Sequence, residues 1–143
     1  MIERIIEFSI RNRFLVLCLL PLLLLLLALR DAPLVDPDPI AIPAGVKTEA
    51  VGRAVRQALN TRGWSVTEEN PGEIKSTLHL RDHTARIVVS WDARQLRIKY
   101  VDSQNLKYHM EDGRPYIHKN YLGWVQNLSH DISGALNLLA DSK

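Results

Sequence analysis

The sequence, 143 residues long, lacks almost everything that advertises chemistry. Its single cysteine, Cys18, excludes an intramolecular disulfide and leaves the redox compartment open. Because Cys18 lies inside an apolar run, it is also excluded as a nucleophile. The glycines are scattered and build no phosphate-cradling loop, and Ser76, Ser90, Ser103 and Ser129 stand in no nucleophile-elbow context. No pair of acids divides into a proton donor and an acceptor. No catalytic residue and no cofactor is therefore expected. An excess of one charge is missing as well: four of the 18 basic and two of the 16 acidic side chains fall in the first 30 residues, leaving 14 of each. A neutral domain lacks the concentrated basic surface that binds phosphate backbones, which excludes nucleic acid as a partner.

What the sequence does have is one long apolar run. Phe14 to Leu29 carries 16 residues without a charge, between Arg13 and Arg30-Asp31. As a helix it covers about 24 Å at ~1.5 Å per residue, and snorkelling of the two flanking arginines closes the gap to a ~30 Å hydrocarbon core. Residues 14–30 are expected to be a signal anchor in contact with membrane lipid. A cleavable signal peptide is the alternative, but Ala28-Leu29-Arg30-Asp31 puts charge where a cleavage site wants small residues.

Arg4, Arg11 and Arg13 precede the run, while Asp31, Asp36 and Asp38 follow it. By the positive-inside rule, residues 1–13 form a cytoplasmic or interfacial segment, with Ile2, Ile5, Ile6 and Ile10 at helical spacing. The rest faces the periplasm. A bacterial inner-membrane protein crossing once, with its C-terminal domain outside, is the expected topology; export after cleavage or a lipid anchor is the alternative.

Residues 31–45 contain four prolines and read as a stiff spacer, able to hold a domain up to ~45 Å from the bilayer. Residues 46–143 suffice for one core. Thr48 is placed to cap a helix with Val51, Ala54, Val55, Ala58 and Leu59 on one stripe and Gly63 as its terminator. Alternation around Trp64–Val66, Ile74–Leu80, Ile87–Trp91 and Leu96–Tyr100 gives four strands. Asn70-Pro71-Gly72, Arg81-Asp82-His83 and Asp92-Ala93-Arg94 are their turns. An irregular stretch from Asp102 to Pro115 then leads into a long amphipathic helix carrying Ile117, Tyr121, Trp124, Leu128, Ile132, Ala135 and Leu139. The expected fold is α+β: a four-stranded antiparallel meander covered on one face by an N-terminal and a long C-terminal helix.

Two resemblances extend this reading. MIERIIEFSIRNRFLVL at the start resembles the leader of heavy-metal efflux pump subunits of the resistance-nodulation-division class, which implies the same topology. The likeness stops near Leu17, and the chain has nothing like such a pump's spans, so metal transport is excluded. Arg62–Trp64, Pro71–Ala85, Ile98–Tyr108 and Ile117–Ile132 resemble a group of small proteobacterial proteins usually described as lipoproteins, across most of residues 46–135. That resemblance implies a lipoprotein-like envelope protein, and the group lends no known activity to this chain. Members of the group end their leader with a small-residue lipobox and a lipid-accepting cysteine, where this chain has Arg30-Asp31.

Two surfaces are candidates for binding an envelope protein or a cell-wall component. Asp102, Ser103, Asn105, Tyr108, His118 and Asn120 are expected to gather in a polar pocket at one end of the sheet. Arg86, Arg97 and Lys99, with Lys75, are expected on its wet face. Of His79, His83, His109, His118 and His130, only His79 and His83 are four apart, and they are expected on a strand and its turn rather than on the helix that presents the i,i+4 pair of zinc enzymes. No nearby cysteine or carboxylate pattern supports a closed site, so no metal is expected. A non-enzymatic, membrane-tethered binding module is the first functional expectation. A small envelope enzyme or metal-binding protein using residues 102–118 is the second.

Overall fold

The structure is a computed structural model that describes residues 31–141, so the expected interfacial segment and membrane anchor lie outside the described residues. In chain order the elements are β1 (Asp31–Pro33), β2 (Ile40–Ala41), α1 (Thr48–Thr61), β3 (Ser65–Asn70), β4 (Glu73–Leu80), β5 (His83–Trp91), β6 (Gln95–Gln104), β7 (His109–Glu111), β8 (Arg114–His118) and α2 (Lys119–Asp141). Over the described residues the fold is α+β with antiparallel sheets and two helices. Among the described residues no helix is long and apolar enough to cross a membrane.

The meander β3–β4–β5–β6 forms as its alternation demands. Ile74 faces Val89 across β4–β5, and Val89 faces Ile98 across β5–β6, all three on the inner face. Gly72 and Arg81 supply the positive φ values that their tight turns require. Against this face pack Val51, Val55 and Leu59 of α1 with Tyr121, Leu128, Ile132 and Leu136 of α2. Each fully buried aliphatic side chain contributes about 1.5–3 kcal/mol, before the entropy of ordering it. Gly63 closes α1 at φ +84, as expected, and Trp64 N–H returns to the Leu59 carbonyl at 2.9 Å. Thr48, expected as the N-cap, is the first helical residue. Lys47 caps instead, its carbonyl accepting the Val51 N–H at 3.1 Å.

Three expectations need correction. The proline-rich segment is no spacer: β1 pairs with β8, β2 pairs with β6 as a fifth strand, and Ile40 and Ile42 are buried in the core. Aliphatic residues set between its prolines are long enough to reach the core, and burying them outweighs extended solvation. Proline suits edge strands such as these, where the missing N–H faces outward. Residues 31–45 therefore belong to the folded unit, which is not confined to residues from 46 onward. Second, the stretch from Asp102 to Pro115 is not irregular. β6 runs on to Gln104, and β7 and β8 form a hairpin through Asp112-Gly113, both at positive φ. Third, Ile117 belongs to β8, not to the last helix, and is fully buried there.

The sheet orders are thus β2-β6-β5-β4-β3 and β1-β8-β7. The two are laced where His118 N–H donates to the Leu106 carbonyl at 2.8 Å. Between β1 and β2 the chain crosses the open edge of β6, and the Asp36 carboxylate accepts the Tyr100 N–H at 3.0 Å. An edge donor that β2 is too short to reach is satisfied in this way.

Candidate functional site

The expected polar pocket is only partly assembled. A register shift after Arg86 gives β6 one extra residue, so Tyr100 and Ser103 both turn to the inner face while Asp102 turns out. Ser103 Oγ lies 2.7 Å from the Tyr100 hydroxyl, and Asp102 accepts from Arg86 Nη1 at 2.8 Å. Asn105, at φ +61, donates through Nδ2 to the Asp82 carbonyl at 2.7 Å. Its own carbonyl accepts His83 Nδ1–H at 2.6 Å. Tyr108 stacks on Tyr100 with centroids 5.3 Å apart. His118 Nδ1 accepts the Asn120 backbone N–H at 3.1 Å, leaving the Asn120 side chain exposed at the start of α2. Ser103, Asn105, Tyr108, His118 and Asn120 lie toward one end, but the first four spend polar or aromatic groups locally: Ser103 and Tyr108 on Tyr100 of β6, Asn105 on the β4–β5 turn and His83, and His118 on the first turn of α2. Among the described residues no group of three or more His, Cys, Asp or Glu side chains converges on one point.

On the outer face of the sheet, two of the four cations, Lys75 and Arg86, are neutralised by acidic neighbours. Lys75 pairs with Glu68 at 3.1 Å, and Arg86 with Asp102. Hydrogen bonds from Lys75 and then Asn70 hold the Glu68 carboxyl below its ordinary range. Arg97 and Lys99 stand exposed on β6. Asp92 is likewise held low, by the backbone N–H groups of Arg94 and Gln95, which makes it the organiser of the β5–β6 turn.

An open groove of about 950 Å³, not among the expected sites, lies on the solvent side of the helix pair. α1 and α2 run antiparallel, and small residues line the seam: Ala50, Ala54 and Ala58 from one helix, Gly134 and Ala135 from the other. Without bulk on either side, the helices leave a trough. Leu138 stands at its edge with 71% of its surface exposed, the most exposed large apolar side chain described. Arg62 and Asp131 bridge one end, Nε to Oδ2 at 2.6 Å. That hydrogen bond is the main reason the Asp131 carboxyl is held low. Arg53, Gln57, Thr61 and His130 complete a polar rim around an apolar floor.

A legible signal did exist for the groove. The apolar stripe of α2 is wider than the sheet can cover: Tyr121, Val125, Leu128, Ile132 and Leu136 are buried, while Ala135, Leu138 and Leu139 continue it round onto the groove. A second concavity of about 490 Å³ lies between the start of α1 and the β3–β4 turn, beside Trp91 and the Arg56–Glu69 pair. No family model, curated protein or solved structure matches this chain.

Proposed function

We propose that the chain is a non-enzymatic binding module, tethered by residues 14–30 to the bacterial inner membrane with its domain in the periplasm, and that the groove between α1 and α2 is its binding surface. The observation that carries the reading is the groove. Apolar surface floored by alanine and glycine and rimmed by polar groups is the shape that accepts a partner's amphipathic helix, since small residues let two helix backbones approach closely. The apolar run Phe14–Leu29 and its charge bias support the tether, and a tether raises the effective concentration of the domain near an envelope partner. The candidate polar side chains Asp102, Ser103, Asn105 and His118 are each already engaged, by Arg86, Tyr100, the β4–β5 turn and Asn120, which favours this reading over a small envelope enzyme built on that segment.

A photo-crosslinking residue at Leu138 of the full chain in intact cells tests it, with the same residue at Lys99 on the opposite face as control. A discrete protein adduct from position 138, absent from position 99 and lost when Ala135→Arg fills the trough, is expected. Equal adducts from both positions, or an adduct indifferent to Ala135→Arg, would contradict it.

A further inference from the structure

We infer that the end of the domain built around Asp31 and His118 rests directly on anionic phospholipid head groups, with no spacer between fold and bilayer. The inference builds on the proposed tether. It starts from a topological fact: β1 begins at Asp31, and only Arg30 separates that strand from Leu29, the last residue of the apolar run. The prolines that seemed to offer reach are used up inside the fold, where Leu34 N–H donates to the Pro115 carbonyl at 2.9 Å and Ile42 N–H to the Arg94 carbonyl at 2.8 Å. A domain stitched to its anchor through one residue cannot stand a Debye length away from the surface.

Register identifies which end comes down. Asp31 is paired with His118, so the anchor joins the fold beside the β8–α2 junction. The hydrogen bonds from His118 to Leu106, from His83 to Asn105 and from Asn105 to Asp82 bring the β4–β5 turn and the end of β6 to the same place. Three exposed cations crown this end: Arg81 and Lys107 at positive φ in tight turns, and Lys119 at the first position of α2. None of the three makes a salt bridge among the described residues. Asp31 and Asp82 oppose them, so the end is net basic. The opposite end, with the Asn70–Gly72 and Asp92–Arg94 turns, is balanced: Glu49, Glu69, Glu73 and Asp92 stand with Arg53, Arg56, Arg94 and Arg97, and Arg56 is paired with Glu69. In a neutral domain, the cations without a salt bridge at the Asp31 end stand where the chain meets the lipid, as attraction to anionic head groups favours. The groove is kept clear of the surface. It opens at Asp131, about 18 Å along α2 from its first residue at ~1.5 Å per residue.

The experiment uses the full chain, with Cys18→Ser, reconstituted in vesicles of phosphatidylcholine with a minority of phosphatidylglycerol. A fluorophore is attached at Asn120→Cys or, at the far end, at Ala93→Cys, and quenched by nitroxide carried on lipid head groups. Strong quenching at position 120 and little at 93 is expected. Arg81→Gln with Lys119→Gln should loosen the contact by at least ~10-fold in the equilibrium between docked and undocked domain, at about fivefold per cation. Pure phosphatidylcholine should loosen it comparably. Equal quenching at both positions in a chain that floats with the vesicles would overturn this inference and leave the tether standing. A chain that fails to float with vesicles in high salt would overturn the tether and this inference with it.

Discussion

Arg62, which closes α1, holds Asp131 in the middle of α2 by two contacts, Nε to Oδ2 at 2.6 Å and Nη2 to Oδ1 at 3.1 Å. A forked pair of this kind fixes how the helices lie across each other, and so fixes the width of the groove that opens beside it.

The pair makes stability sensitive to acid. Asp131 is held low, first by its hydrogen bond from Arg62, so its contribution is fully present above the ordinary carboxylate value, near about 4, and is lost as pH falls through the lower folded value. Asp131→Asn should flatten the thermal midpoint against pH below roughly pH 4.5, relative to the unsubstituted protein. Because Arg62 is exposed and Asp131 only half-buried, solvent screening should keep the effect at neutral pH small. Parallel profiles for the two proteins would count against the pair.

Residues 31–45 are part of the fold, and their removal measures how much. A chain starting at residue 46 loses Leu34, Ile40 and Ile42 from the core and strips the paired edge of β6. At about 1.5–3 kcal/mol for each buried aliphatic, that loss is of the order of a small domain's whole stability, ~5–15 kcal/mol. The chain from residue 46 should lack cooperative melting and the near-ultraviolet signal of its buried tryptophan, whereas the chain from residue 31 should show both. Equal melting of the two would restore the spacer.

Tyr121 is buried at the centre of the core, yet its hydroxyl has no hydrogen-bond partner among the described residues. Burial, followed by the nearby Asp36 charge, pushes its ionisation far above the ordinary phenol range, so the hydroxyl stays protonated. An unsatisfied buried hydroxyl costs about 1–3 kcal/mol, so Tyr121→Phe should match or raise the melting temperature. Tyr121→Ala, which empties the space, should cost about 3–5 kcal/mol by denaturant unfolding. A marked loss in Tyr121→Phe would reveal a partner for the hydroxyl.

Gly134 separates stability from binding. A Cβ there meets nothing within 4 Å, and helix propensity favours alanine by about 1 kcal/mol, so Gly134→Ala should raise the denaturation midpoint. At Gly63 the same change should cost about 1–2 kcal/mol. Its nearest neighbour, Leu78 Cδ1, is an unobstructive 3.9 Å away, but φ is +84. A bulkier residue at 134, such as Gly134→Leu, should keep the fold and block the groove. Loss of the fold in that variant, read by circular dichroism, would show the groove floor to be core.

How much of this was legible in the residues depended on whether a feature was local. Alternation from Ile74 to Tyr100 and the stripe from Val51 to Leu59 specify the meander and α1, because side-chain periodicity and burial are set by near neighbours. Asp112-Gly113 was an equally local hairpin signal, and reading it would have placed Ile117 in a strand. The pairing of Asp31 with His118 was not local. Nothing in a proline-rich segment announces which distant edge it will cover, and proline content alone points to a spacer. At the candidate sites, the Asn105 side chain bonds the β4–β5 turn at Asp82 and the His118 backbone bonds Leu106, partners distant in sequence that no local pattern announces. The over-wide apolar stripe of α2 hints at the groove, but its other wall, Ala50, Ala54 and Ala58 of α1, comes alongside only in the folded chain.

The account rests on the domain standing outside the cytoplasm, held there by the leucine-rich run. A phosphatase that gains activity only after export, fused after Lys143 and assayed in the membrane fraction, measures this directly. High activity that stays with the membranes through a high-salt wash, and that disappears when residues 1–30 are deleted, is the predicted result. An inactive fusion, or full-length protein recovered stable and monodisperse from a detergent-free cytosolic fraction, would contradict it.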